Sequence, residues 1–205
     1  MVKGLPIAHA GLWRAGQLPA QSGLSTGYPA LDALLPEAGW PLGGLTEILL
    51  DATGIGALRL WLPAWQRLQQ AGRWLLWVDP PADPYAPALQ QLQLDLSRLL
   101  LIRLSSSHAQ RHKETLWALE QALRFELCGA ALAWLGTASM PALRRLQLAA
   151  ETSGSCGILY RPLAMARQSS PAALRLCLQP RQTGLHIEVL KCRGGWAGGA
   201  CELTL

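Results

Sequence analysis

The sequence predicts an α/β fold: a mostly parallel central sheet flanked by helices and extended by C-terminal antiparallel strands. Three observations carry this. Between residues 45 and 162, short apolar runs alternate with helical patterns, the rhythm of βαβ crossovers. Those runs are apolar nearly throughout, as expected of strands covered on both faces. After Pro171 no helical pattern intervenes and three strand-like runs follow in succession, which predicts antiparallel hairpins along one edge.

Each element has its own signal. Residues 1–24 scatter Gly, Pro, Gln and Ser among a few apolar residues and read as an N-terminal arm, with residues 25–205 as the folded domain. "STGYPALDALL" starts a short helix, with Ser25 or Thr26 as N-cap and Leu31, Leu34 and Leu35 on one face. "PEAGWPLGG" is a turn cluster. "LTEILL" is a strand, and Ile55 to Ala71 a long helix stopped by Gly72. "RWLLWVD" is a buried strand, "DPYAPALQQL" a short helix opened by Pro84, and "RLLLIRL" a third strand. A helix from about His108 to Leu127 leads to the strand "GAALAWLG". "MPALRRLQLAAETS" is a helix with Pro141 in its first turn, followed by the strand "SCGILYRP". "AALRLCLQPR", "GLHIEVLKCR" and "ACELTL" form the extension over about 171–205.

Composition narrows the function classes. Half of the 205 residues are apolar and 15% are charged, so a core forms and wholesale disorder is excluded. No apolar stretch reaches the roughly 18 residues that span a bilayer. The N-terminus lacks a continuous secretory h-region, so no membrane is expected and the cytoplasm is the expected location. Cys128, Cys156, Cys177, Cys192 and Cys201 form no C-x-x-C pair and read as buried free thiols. The net charge is +5, with 15 arginines against 3 lysines. This suits a partner bearing carboxylates or phosphates, although coding bias gives the same balance. Of nine tryptophans, Trp61, Trp65, Trp74, Trp77 and Trp134 fall on apolar faces or strands, whereas Trp13 and Trp196 fall in Gly-containing flanks that suit a partner surface.

The stretch "LLDATGIGALRL", residues 49–60, has the outline of a phosphate loop: an apolar strand, two glycines, then a helix. Such a loop needs a lysine to neutralise phosphate charge and a hydroxyl to ligate Mg²⁺. Here Gly54 and Gly56 stand, but Ala57 and Leu58 occupy the lysine and hydroxyl positions. Arg59 falls later, on another helix face. The loop is read as a scaffold turn with no cofactor, and weak nucleotide binding by the bare helix N-terminus stays open.

The order of parts then resembles the RecA recombinase family, and more narrowly the RecA-like ImuA family. "LSTGYPALDALLPEAGWPLGGLTEI" is similar to the segment leading into that phosphate loop, and "ETLWALEQALRFELCGAALAWLG" to the helix and strand carrying the Walker B carboxylate. The narrower likeness rests on "LDALLPEAGWPLGGLTEIL", "GIGALRLWLPA", "DPPADPYAPAL", "LRRLQLAAE" and "VLKCRGG". The resemblance implies a RecA-like core with a degenerate nucleotide site. Trp134, Leu135 and Gly136 replace the metal-binding carboxylate, and Asp79 is followed by Pro81 where the family places its water-activating glutamate.

It implies a non-catalytic accessory protein of SOS-induced mutagenic translesion synthesis. The implied partners are an ImuB-type polymerase-related protein, an error-prone replicative-type polymerase and RecA. SulA, the cell-division inhibitor, is a shorter relative with the same degenerate core. The alternatives are therefore an inhibitor of the tubulin-like division protein and a nucleotide-dependent DNA-binding protein. Leu12 and Trp13 in the arm suit docking, and Lys191 and Arg193 match a basic pair that RecA-like subunits direct across their interface. "RLSSSHAQRHKE" clusters Arg103, Arg111 and Lys113 with His108 and His112; Arg144 and Arg145 follow the strand that precedes a DNA-contacting loop in the family. These are the candidate DNA contacts, against the ordinary reading of solvated charge. His108 and His112 stand four apart without a third zinc ligand, so no metal is expected.

Overall fold

The apolar runs do form strands, and the computed structural model describes residues 23–51, 56–105 and 108–205. The strands are β1 (Gly44–Leu50), β2 (Trp74–Val78), β3 (Leu99–Ile102), β4 (Cys128–Trp134), β5 (Cys156–Pro162), β6 (Leu174–Arg181), β7 (Gly184–Cys192) and β8 (Ala200–Thr204). They make one eight-stranded sheet in the order β3-β2-β4-β5-β1-β6-β7-β8. β1 to β6 are mutually parallel where they pair, and β7 and β8 run antiparallel. The helices are α1 (Pro29–Asp32), α2 (Leu62–Gln70), α3 (Ala86–Gln91), α4 (His108–Arg124) and α5 (Met140–Ser153).

Two cores lie on opposite faces of this sheet. One packs Trp61 and Trp65 from α2 and its lead-in against Ile48, Trp77, Ile158 and Leu176. Trp40 stacks on Trp61 with ring centroids 3.8 Å apart. The other packs Leu119 and Leu123 of α4 and Leu143 and Leu146 of α5 against Leu45, Ala131 and Leu159. Alternation along β1 explains the split: Ile48 serves the first core and Leu45 the second. α5 is closed by local chemistry at both ends. Ser139 caps it by accepting from the Ala142 N–H, and Gly154 ends it in the left-handed conformation, φ 70°. Trp196 stands 92% exposed on the β7–β8 connection. Among the described residues no helix is long and apolar enough to cross a membrane.

Three expectations need correction. The cap of α1 is Tyr28, not Ser25 or Thr26. Asp32 draws those two residues away, accepting from the Ser25 hydroxyl and the Thr26 N–H at 2.8 Å each, while Pro29 supplies the fixed φ of a first turn. The long helix read over 55–71 shrinks to Leu62–Gln70, behind a 3₁₀ turn at Arg59–Trp61. Pro63 sets that start, because its ring is tolerated only in the first α-helical turn. The extension after Pro171 is not antiparallel from its beginning: β6 pairs parallel with β1, and only β7 and β8 reverse. The segment between β5 and β6, with its 3₁₀ turn at Leu163–Arg167, carries the chain across β1, so a crossover exists without an α-helix.

Residues 1–22 lie outside the described residues, and with them Leu12 and Trp13 of the arm. Gly23 and Leu24 already belong to the folded body. The Gly23 N–H donates to the Glu37 carbonyl at 2.9 Å, and Leu24 bridges Trp40.

Candidate functional site

The carboxyl ends of β1, β2, β4 and β5 converge on a cleft of about 650 Å³. In open α/β sheets this crevice is where ligands bind. Its floor is aromatic. Trp134 stacks on Tyr160 at 5.3 Å and 17°, and Trp77 meets Trp134 edge-on at 6.4 Å. The Tyr160 hydroxyl donates to the Ala57 carbonyl at 3.3 Å, and burial pushes its pKa above the ordinary tyrosine range. One wall carries Pro80, Pro81, Pro84 and the largely exposed Tyr85; the other carries Leu50, Gly56, Ala57 and Leu58.

Gly56 sits at φ 83°, a value open to glycine, and its carbonyl accepts from the Arg59 N–H at 2.8 Å. Gly54 falls outside the described residues. Ala57 and Leu58 stand on the cleft where a phosphate-binding loop would offer lysine and a hydroxyl. At the end of β4, Leu135 donates its N–H to the Tyr160 carbonyl, and the Gly136 carbonyl accepts from the Arg161 guanidinium at 3.2 Å.

Asp79, just past β2, adopts φ 47°, an unfavourable conformation for a side-chain-bearing residue. Its N–H donates to the Ile102 carbonyl at 2.7 Å and its carboxylate pairs with Arg111 at 3.0 Å. Arg111 also donates to the Leu104 carbonyl at 2.9 Å, so this candidate DNA contact is committed within the chain. Lys113 and Arg144 are exposed, on α4 and α5. Arg145 pairs with Glu120 at 3.4 Å. Arg103 pairs with Asp83 and donates to the Pro80 carbonyl. Lys191 near the end of β7 and Arg193 just past it are both engaged within the chain. Lys191 donates to the Ser170 carbonyl at 2.7 Å, and Arg193 pairs with Glu151 of α5 at 2.8 Å. Burial first, and then the Arg175 charge, pull the Lys191 pKa below its ordinary value. Among the described residues, no three His, Cys, Asp or Glu side chains are grouped to hold a metal.

One polar constellation escapes the sequence reading. Glu47, in the middle of β1, is fully buried and meets Arg161 of β5 and Arg175 of β6 at 2.8 Å each. The Ser170 hydroxyl donates to the same carboxylate at 2.7 Å. Arg175 also donates to the Met165 and Ala166 carbonyls. The signal was present as one charge inside each of three apolar runs, "LTEILL", "GILYRP" and "AALRLCL". Charges buried at such positions need partners, so three on three neighbouring strands point to one another.

Comparison with known proteins places this architecture among relatives. The family model described as cell division inhibitor SulA matches residues 43–157, from the start of β1 into β5. The chain is 31% identical over 202 residues to Protein ImuA of Caulobacter vibrioides, covering 86% of this chain and 81% of that protein. It is 31% identical over 117 residues to the cell division inhibitor SulA of Photorhabdus laumondii, covering 57% of this chain and 63% of that protein. Similarity extends to the crystal structure of SulA from Pseudomonas aeruginosa, at 25% identity and a TM-score of 0.46, covering 57% of this chain and 97% of that one.

Proposed function

The chain belongs to the ImuA family of SulA-related proteins, and from that premise we propose a non-catalytic, RecA-like accessory protein of damage-induced mutagenic translesion synthesis. It acts by protein–protein contact. Its partners in this reading are an ImuB-type polymerase-related protein, an error-prone replicative-type polymerase and RecA. The observation that carries the reading is the chemistry of the cleft. Ala57 and Leu58 stand where phosphoryl transfer needs a lysine and a hydroxyl, and Pro81 and the Trp134–Gly136 segment stand where it needs two carboxylates. Phosphoryl transfer depends almost entirely on such placed charge, so three losses at separate points of the chain leave no catalyst. What remains for function is surface: Leu12 and Trp13 in the arm, the Lys191–Arg193 pair, and the exposed basic residues of α4 and α5.

Two measurements test this. Calorimetry with ATP and Mg²⁺ should give no binding heat and a phosphate-release assay no turnover; submicromolar ATP affinity overturns the reading. A pull-down from DNA-damaged cells should recover polymerase-related proteins or RecA, and deleting residues 1–20 should weaken that recovery. A second reading, inhibition of the tubulin-like division protein, is favoured by the SulA family match over residues 43–157. Sedimentation of division-protein polymers in the presence of this chain separates the two.

A further inference from the structure

The cleft at the carboxyl edge is open, mostly carbon-lined and large enough for a ligand. Its volume of about 650 Å³ falls inside the roughly 300–1,000 Å³ typical of small-ligand pockets. Its aromatic floor offers stacking faces, and the Tyr160 hydroxyl that would have been a polar handle is spent on Ala57. A phosphate finds one exposed guanidinium at the rim and no lysine among the lining residues; a bulky apolar group finds contact on several sides.

The rim supplies the polarity. Arg59, expected on another helix face than Ala57 and Leu58, lines the cleft beside them because a 3₁₀ turn replaces the expected α-helix there. It is exposed and has no carboxylate within salt-bridge distance among the described residues. Asp83 on the opposite wall is already paired with Arg103. Asp51 lies beyond the shared wall of Trp134 and Tyr160, on a smaller neighbouring cleft of about 330 Å³. Among the described residues, the unsatisfied charge at the mouth is therefore a single guanidinium, with a carboxylate on the far side. The chain's own residues 1–22 carry Lys3 and Arg14 and no acidic residue, so neither this arm nor that of a second copy complements the rim.

We propose that the cleft captures a short segment of another protein, one bulky apolar side chain seated against Trp134 and Tyr160 and a neighbouring acidic residue facing Arg59. This deepens the accessory-protein reading and rests on it: the crevice is reassigned from nucleotide to peptide. Buried aromatic contacts of this kind concentrate interface energy, and the rim charge sets the direction in which the segment lies.

The test uses the full chain and two fluorescein-labelled, acetylated peptides, one a tryptophan followed by two glutamates, the other a tryptophan followed by two lysines. Fluorescence polarisation should show the acidic peptide binding more tightly. Arg59→Glu, a substitution at an exposed position, should weaken the acidic peptide by about fivefold and strengthen the lysine peptide. Ala88→Trp, which fills the cleft from α3, should weaken both by about tenfold or more. Equal binding of the two peptides, or binding indifferent to both substitutions, overturns the proposal. If neither peptide binds while the pull-down still recovers polymerase-related proteins, the cleft proposal fails and the accessory reading stands. If ATP binds and Ala88→Trp abolishes it, both fail.

Discussion

Adjacent residues of β5 feed two opposite environments. Tyr160 turns to the aromatic cleft, and Arg161 turns to the buried cluster around Glu47. In the cluster a carboxylate at zero exposure is held by two guanidiniums and a hydroxyl. In the cleft, a few ångströms of chain away, the floor is rings. The difference teaches that this fold retains the means to bury charge and uses it for architecture. Charge is missing where phosphate chemistry would require it. The two regions should therefore respond to substitution to different extents.

The largest effect is expected at Glu47. Glu47→Ala leaves Arg161 and Arg175 facing each other in a site closed to water, and removing one partner of a buried ionic group costs about 3–5 kcal/mol. Urea unfolding should show that loss as a lower midpoint with an unchanged slope. A loss under about 1 kcal/mol, the range of exposed pairs, would mean that the cluster is hydrated and that the contrast with the cleft is false. Trp134→Ala comes next. Trp134 is half-buried, so its removal should cost about 2 kcal/mol, below the range for a fully buried tryptophan. It should leave the response to salt untouched.

The thiols sharpen the same contrast, because burial outweighs the nearby Arg73 charge at both Cys128 and Cys156. Burial pushes Cys128 and Cys156 up to about 12. Both stay neutral in the folded chain where an unfolded thiol, near 9.0, ionises. Their contribution to stability is therefore complete below about pH 9 and declines as pH rises through 12. Alkaline titration of the unfolding midpoint should show that decline, and Cys128→Ala should flatten it. Alkylation of the folded chain at pH 8 should modify the half-buried Cys192 and Cys201 before Cys128 and Cys156.

Most of the fold was legible in the sequence, because strand and helix periods are local signals. The apolar runs and the crossover rhythm gave seven of the eight strands their orientation in advance. The eighth, β6, was misread because a parallel crossover was tied to an α-helix, and the short 3₁₀ turn at Leu163–Arg167 bridges β1 without one. Pro63 also outweighed a good helical pattern before it. Of the cleft, the sequence offered Ala57, Leu58 and Pro81, which do line it. Its aromatic floor was not legible, because the Trp134–Tyr160 stack joins residues 26 apart, brought side by side by the β4–β5 register. The Glu47 cluster, spanning more than a hundred residues, depends wholly on the order β5-β1-β6.

The smallest expected effect is at Arg193, and it probes what separates a structural cation from an available one. Arg193 pairs with Glu151 at 2.8 Å, but its side chain is 57% exposed, whereas that of Arg175 is 8% exposed. Arg193→Ala should cost only about 0.2–1 kcal/mol, and less at high salt, because water and ions screen the pair. The Arg193 hydrogen bond, and then that of Gln147, hold the Glu151 carboxyl below its ordinary range. The pair's contribution is therefore present above the ordinary carboxylate pKa and is lost as pH falls through the lowered one. Unfolding midpoints of the two chains should differ at neutral pH and converge at acid pH. A partner that recruits Arg193 must break this weak contact, which is open at little cost. Arg193→Ala should then reduce recovery of polymerase-related proteins or RecA far more than it reduces stability. Equal and small losses in both measurements would return Arg193 to ordinary surface charge, and a stability loss matching Glu47→Ala would erase the distinction between the buried cluster and the rim.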